Sequence, residues 1–243
     1  GFTIRTELVN EGGDVIATIA DGADRTVEGL AIGNYVLRYT VADNCDTERV
    51  QECVLQVLDK EYPTAICVGD INVSMGSQGG ARIRADQIDF GSYDNCGIAS
   101  IEVRRKSMID PATCEPLDEP VMSDWGEYVD FTCCDANTYV TVELLVTDVS
   151  GNQNTCWLDV LVEDKIKPIV FGLEDLALDC DELPSDFDPT DSTHLVTLFG
   201  EARVFDNCQA SAIEMDAILD ISDCGSGTIT RRFTAVDQAG NES

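Results

Sequence analysis

Residues 146–168 read V-T-D-V-S-G-N-Q-N-T-C-W-L-D-V-L-V-E-D-K-I-K-P, and this stretch decides the fold. Apolar residues at every second position (Val140, Val142, Leu144, Val146) enter it, and a second alternating run (Leu158, Val160, Val162) follows Cys156. Period-two alternation marks half-buried strands. Asp148-Val-Ser-Gly-Asn152 supplies the residues a tight hairpin turn needs. The exit, Glu163 to Pro168, is charged and ends in proline, which suits a joint between domains better than a core strand. The stretch reads as the last hairpin of a β domain with its linker attached.

The same unit recurs. Tyr35, Leu37, Tyr39 and Val41 alternate into Asp43-Asn-Cys45, and Cys53, Leu55, Val57, Asp59 and Pro63 follow. Asp59 stands before Pro63 as Asp164 stands before Pro168. Ile229, Phe233, Ala235 and Asp237-Gln-Ala-Gly-Asn241 repeat the first half once more. Repetition divides the 243 residues into a C-terminal part of one repeat (1–62), a complete repeat (63–167) and a third lacking its last strand (168–243). The complete repeat has the size of an immunoglobulin-like sandwich. The expected class is therefore all-β, as tandem immunoglobulin-like, disulfide-bonded sandwiches in an extended array, cut from a longer protein.

Eleven cysteines point to a disulfide framework and an oxidising, extracellular compartment. They fall in no zinc-type pairs and have one histidine for company, which argues against a metal-thiolate role. The odd number is read as a truncation effect: Cys156 lies four residues after Asn152, and the chain ends two residues after Asn241. Aligning the repeats pairs Cys67 with Cys156, and leaves Cys180 waiting for the missing counterpart. It pairs Cys96 with Cys134, Cys208 with Cys224 and Cys114 with Cys133, while Cys45 and Cys53 would bridge their own hairpin. Spacing alone does not prove connectivity, and Cys133 and Cys134 are open to exchange.

The net charge of −31 argues against nucleic acid and anionic membrane surfaces, both of which recruit lysine and arginine. No apolar run reaches membrane-spanning length, so no direct membrane insertion is expected. Hydrophobic residues make up 44% of the chain and follow strand periodicity, unlike a disordered acidic tail. No segment shows convincing helical periodicity, although Ala210 to Leu219 could form a short helix. Between Arg104 and Tyr128 the alternation breaks down around Pro111, Cys114, Pro116, Pro120 and Trp125, marking an insertion over 104–128. Arg231 falls on the apolar phase of its strand, a misfit that snorkelling accommodates.

Pro63-Thr-Ala-Ile-Cys67, Tyr93-Asp-Asn-Cys-Gly97, Phe131-Thr-Cys-Cys134, Val146-Thr-Asp-Val-Ser-Gly-Asn152 and Val162-Glu-Asp164 together resemble hyalin-type (HYR-like) repeats. Cys224-Gly-Ser-Gly-Thr-Ile-Thr230 with Ala235 to Asn241 is similar to a sister variant. Such repeats are strung along large surface adhesins of gliding bacteria exported by type IX secretion. The resemblance implies immunoglobulin-like sandwiches working in adhesion at the cell surface. Their neighbours would be other repeats of the same chain, with surface glycans or motility and secretion proteins as further partners.

At one pole of a sandwich the Asp-Asn-Cys loop and the final hairpin lie together, beside the incoming linker. Carboxylates and amide oxygens gathered there suit calcium. The candidates are Asp59, Glu61, Asp94, Asn95, Asp148 and Asn152 at one joint, and Asp164, Asp206, Asn207, Asp237 and Asn241 at the next. The competing account is that aspartate and asparagine simply make turns. Catalytic patterns are weak. His194 stands outside any Ser-His-Asp arrangement, and carboxylate pairs are commonplace in so acidic a chain. Trp125, Tyr128 and Tyr93 could form a sugar- or protein-binding platform, an exposed Trp125 on a concave patch favouring binding and a buried one structure. Trp157 is expected in the core or against a disulfide. The reading is a non-catalytic stalk segment, with a ligand-binding module or a self-assembling fibre as alternatives.

Overall fold

The computed structural model describes residues 1–19, 26–45, 47–179, 182–222 and 226–243, and Cys180 and Cys224 lie outside them. The described residues gather into two compact units. The first comprises Gly1–Pro63 with the loops Tyr93–Ala99 and Thr147–Gln153, and the second holds the remainder.

In the first unit four antiparallel strands, β1 (Phe2–Asn10), β2 (Val15–Ile19), β3 (Gly33–Asp43) and β4 (Glu48–Val57), form a sheet in the order β2-β1-β3-β4. Leu8, Val9 and Tyr35 are buried, and Val54 on β4 is exposed. Cys45 and Cys53 are both free. The bridge expected between them cannot form, because Cys53 pairs with Leu37 well up the ladder while Cys45 sits in the turn. Five residue steps separate Cys53 from Glu48 at the turn end of the strand, roughly 17 Å of rise. A disulfide spans less than about 7 Å between Cα atoms.

The second unit contains β5 (Ile71–Ser74), β6 (Gly80–Arg84), the one-turn helix α1 (Ala85–Ile88), β7 (Ile98–Ile109), β8 (Pro116–Met122) and β9 (Tyr128–Thr132). After a 3-10 turn at Cys133–Asp135 come β10 (Thr138–Asp148) and β11 (Gln153–Glu163). Five of these strands make a sheet in the order β5-β11-β10-β7-β8, and β6 pairs with β9 in a second. Val103, Val142, Leu144, Val146, Leu158, Val160 and Val162 from the larger sheet are buried, as are Ile83, Val129 and Phe131 from the smaller. Each such side chain contributes about 1.5–3 kcal/mol on leaving water, so the alternation seen in the sequence is what forms this core. β5 joins β11 in parallel, and the Cys67–Cys156 disulfide crosslinks the same two chain regions.

The 104–128 insertion is ordered. It extends β7 and pairs it with β8, so most of its residues belong to a hairpin instead of an irregular loop. Its turn is pinned by Cys114 to Cys134 and not to Cys133, the two neighbouring cysteines having exchanged roles. Arg105, on β7, donates to both carboxylate oxygens of Asp135, whose side chain is almost fully buried, and to the Asp130 carbonyl. This ion pair clamps the Cys133–Asp135 turn from within.

The rest of the second unit has β12 (Ile169–Phe171), helix α2 (Ser192–Phe199), β13 (Arg203–Phe205), β14 (Ala210–Ile221) and β15 (Gly227–Asp237). β12 pairs with β13, and β14 with β15. Ala210 to Leu219 is thus a strand where a short helix was conceivable; a long antiparallel register with β15 overrides local propensity. The helix lies instead at α2, where the Asp191 side chain caps Thr193 N–H and Leu195 points inward. Arg231 does occupy the apolar phase of β15. Its guanidinium is buried and bonded to both oxygens of Glu214, at 2.6 and 2.8 Å, and to the Gly200 carbonyl.

Two further pairings differ from the alignment of repeats. Cys208 is bonded to Cys133 and not to Cys224, and Cys96 is free instead of bonded to Cys134. The physical reason lies at Gly79. The carbonyl of Asn207 and Sγ of Cys133 crowd this glycine so closely that a Cβ there would meet them at 2.4 and 2.8 Å. That seating brings Cys208 onto Cys133.

Candidate metal centres

Each final hairpin is closed by its aspartate. Oδ1 of Asp43 accepts from Cys45 N–H and Thr47 N–H, and Oδ1 of Asp148 from Ser150 N–H and Asn152 N–H. Oδ1 of Asp237 accepts from Asn241 N–H, while the Asn152 and Asn241 amides donate to the second oxygen of Asp148 and Asp237. Burial pushes the Asp148 carboxyl up, but the hydrogen bonds from Asn152, Ser150 and Gly151 outweigh it and hold the group below its ordinary value. For Asp43 the N–H groups of Thr47 and Cys45 do the same. These aspartates are turn-makers first, as the bland reading of the sequence holds.

The Asp-Asn-Cys loops follow a second pattern. Asp94 accepts from the N–H groups of Cys96 and Gly97, and Asp206 accepts on Oδ2 from Cys208 N–H. In the linkers, Asp59 accepts from Glu61 N–H and Asp164 from Ile166 N–H. In every case one oxygen is anchored by the backbone, which leaves the other aimed by local geometry.

Two clusters result. Asp59, Asp94 and Cys96 bring one ligand atom each within 4.8 Å of one another in the first unit. In the second unit Asp164, Asp206 and Asp237 do likewise. Two full charges at such a spacing repel by roughly 3 kcal/mol at an effective dielectric near 20. Among the described residues no lysine or arginine forms an ion pair with any of these five aspartates.

The clusters differ in their fourth corner. In the second, Asn207 donates its amide to Asp164 Oδ1, and its own Oδ1 is buried without a partner. Oδ2 of Asp164 and Oδ1 of Asp206 are buried and unpartnered as well. Asn241 reaches from the hairpin to the Asp164 and Ile166 carbonyls, tying linker to turn. In the first, Asp59 Oδ2 is the buried unpartnered oxygen, and Cys96 contributes a thiol. Desolvation of that thiol, then Asp59, Asp94 and Asp148 around it, push it up from its ordinary value, although the residue as a whole is exposed. Its sulfur is a soft donor, poorly matched to the hard cations that carboxylates hold. Glu61 and Asn95, both exposed, are not among the grouped ligand atoms. Cys96 joins a cluster where sequence reasoning had assigned it to a disulfide; its place beside Asp94-Asn95 was the available signal.

The remaining candidates lie elsewhere. Trp125 is half-buried beneath the Arg104 guanidinium, 4.2 Å from the ring centre, and Arg104 is paired with Glu143. Tyr128 is partly exposed, with Arg82 over its ring at 3.6 Å. Tyr93 is exposed in the first unit. Trp157, expected inside, is 70% exposed, because β11 turns that phase of its alternation outward. His194 on α2 accepts from Asp188 N–H through Nδ1 and lies against Phe187, fastening the helix to its preceding loop.

No known family model matches this sequence, and no curated protein matches it. Among solved structures, the chain is similar to DIP-gamma IG1+IG2 at 10% identity and a TM-score of 0.32, over 66% of this chain and 83% of that one. It is similar to the extracellular domain of Protocadherin GammaB4 at 14% identity and 0.28, over 100% of this chain and 44% of that one. Human CDH23 EC21-23 matches at 11% and 0.30, over 99% of this chain and 87% of that one. At these scores the likenesses carry no argument about function.

Proposed function

We propose that the chain is a non-catalytic segment of an exported surface array, in which 1–62, 63–167 and 168–243 belong to consecutive immunoglobulin-like repeats. Its work is to span distance at the cell surface in attachment or gliding motility, as the hyalin-type resemblance implies. The observation that carries this reading is the Cys133–Cys208 disulfide, which fastens the turn before one final hairpin to the Asp-Asn-Cys loop of the following segment. A covalent bond across a joint resists pulling and shearing, the loads a spacer bears. Disulfides also support an oxidising, extracellular compartment.

Calcium is the ion we assign to this kind of joint, where linker, loop and hairpin carboxylates meet, and the cluster of Asp164, Asp206 and Asp237 supports it. The partners are other repeats of the same chain, with surface glycans or motility and secretion proteins beyond them. The rival reading, a sugar or protein site on Trp125 and Tyr128 in the insertion, is disfavoured because a guanidinium already covers each ring. Small-angle scattering of the oxidised protein tests the reading. A rod-like profile that stiffens with calcium is expected, and a compact, near-spherical particle in both conditions would refute the spacer.

A further inference from the structure

We propose that Asp164, Asp206, Asn207 and Asp237 form an oxygen-only site for a hard divalent cation of the calcium class, and that the Asp59 cluster is not its equivalent. The proposal deepens the array reading by naming which joint takes the ion and which atoms hold it.

Asp164 is 4% exposed, yet its Oδ2 has no hydrogen-bond partner. Burying an acceptor of a charged group without a partner is costly, and native proteins avoid it unless something else meets the atom. Here three such oxygens come from three adjacent residues of the same site: Asp164 Oδ2, Asp206 Oδ1 and Asn207 Oδ1. Their companion atoms are all spoken for. Asp164 Oδ1 takes Ile166 N–H and the Asn207 amide, and Asp206 Oδ2 takes Cys208 N–H. Asp237 is fixed by Asn241 at 2.7 Å on both oxygens and still has free lone pairs. The side chains are therefore pre-set, and their three unpartnered atoms are all acceptors. A divalent cation takes up several such oxygens at once and also offsets the carboxylate charge, which a water donating at most two hydrogen bonds does not.

The donor set selects the ion. Carboxylate and amide oxygens suit calcium or magnesium and not the thiolate- or imidazole-seeking metals. Four protein side chains contribute, and calcium accepts further water or carbonyl oxygens in flexible geometry, whereas magnesium demands a near-ideal octahedron and gives up its waters reluctantly. The Asp59 cluster offers a thiol sulfur where the other offers carboxylate and amide oxygen, and a hard cation selects oxygen over sulfur.

Isothermal titration of calcium chloride into chelator-stripped, oxidised protein tests the assignment, with magnesium chloride as the competing probe. One site is expected, weakened at least tenfold by Asp206→Asn and by Asn207→Ala and unchanged by Asp94→Asn. Circular dichroism without calcium accompanies each variant, so that a lost fold is not read as a lost ligand. The absence of calcium heat in the unaltered protein would overturn the proposal. So would a site that Asp94→Asn removes and Asp206→Asn leaves intact. Either result is separable from failure of the spacer reading, which the scattering profile decides.

Discussion

Pulling on the chain exposes the crosslinks one by one, and their interleaving makes the result calculable. Cys67 and Cys208 are about 141 residues apart along the backbone, but the two long disulfides overlap. With both intact, the shortest covalent route steps from Cys67 to Cys156, runs back about 23 residues to Cys133 and steps across to Cys208. At roughly 3.5 Å per extended residue, that route is about 80 Å long. Replacing Cys133 and Cys208 by serine lengthens it to about 52 residues, a gain of about 100 Å, and full reduction adds about 410 Å over the intact state. Loss of the Cys133–Cys208 loop, 75 residues in sequence separation, also removes about 4 kcal/mol in the chain-entropy account. Single-molecule force spectroscopy with handles outside these cysteines reads the lengths directly, and urea melts read the stability. A contour length that the double substitution leaves unchanged would mean that the Cys133–Cys208 bond does not exist.

Two other expectations follow from side-chain detail. Gly79→Ala places a methyl group where only 2.4 Å separates it from the Asn207 carbonyl, at a φ of +70°. The combined strain and overpacking should cost about 2–4 kcal/mol in a urea melt, and a midpoint equal to that of the unaltered protein would show that the contact is not made. The hydrogen-bonded pair with Arg231, acting against burial, holds the Glu214 carboxyl below its ordinary value. A depressed folded value means the pair's contribution is full above the ordinary glutamate range and is lost as pH falls through the folded value. Thermal melts of Glu214→Gln should therefore fall less steeply on acidification than those of the unaltered protein, and parallel curves would count against the linkage.

The all-β class was legible because burying one face of β10 and β11 and leaving the other nearer solvent imposes an alternation that survives without any contact information. The gathering of Asp164, Asp206 and Asp237 was legible too, since each is a turn or linker residue whose place is dictated by the hairpin it closes. The partner of Cys208 was not. Aligning repeats assumes that each closes its own bridges, whereas the choice here is made by the Asn207 backbone settling into the space above Gly79. Nor was the Arg105–Asp135 clamp visible, since neither residue carries a pattern until β7 lies beside the Cys133–Asp135 turn. The β14 strand and the β7–β8 hairpin were misjudged for a common reason: their partners are set by long-range register, which local propensity does not encode. Trp157 shows the opposite fault. Its size argued for the interior, and strand phase decided otherwise.

The overlap of the Cys67–Cys156 and Cys133–Cys208 bonds has one more outcome. Wherever a protease severs a single peptide bond between Cys67 and Cys208, at least one of the two still joins the fragments. A nicked molecule would migrate as two pieces only after reduction, and until then its far end would remain tethered.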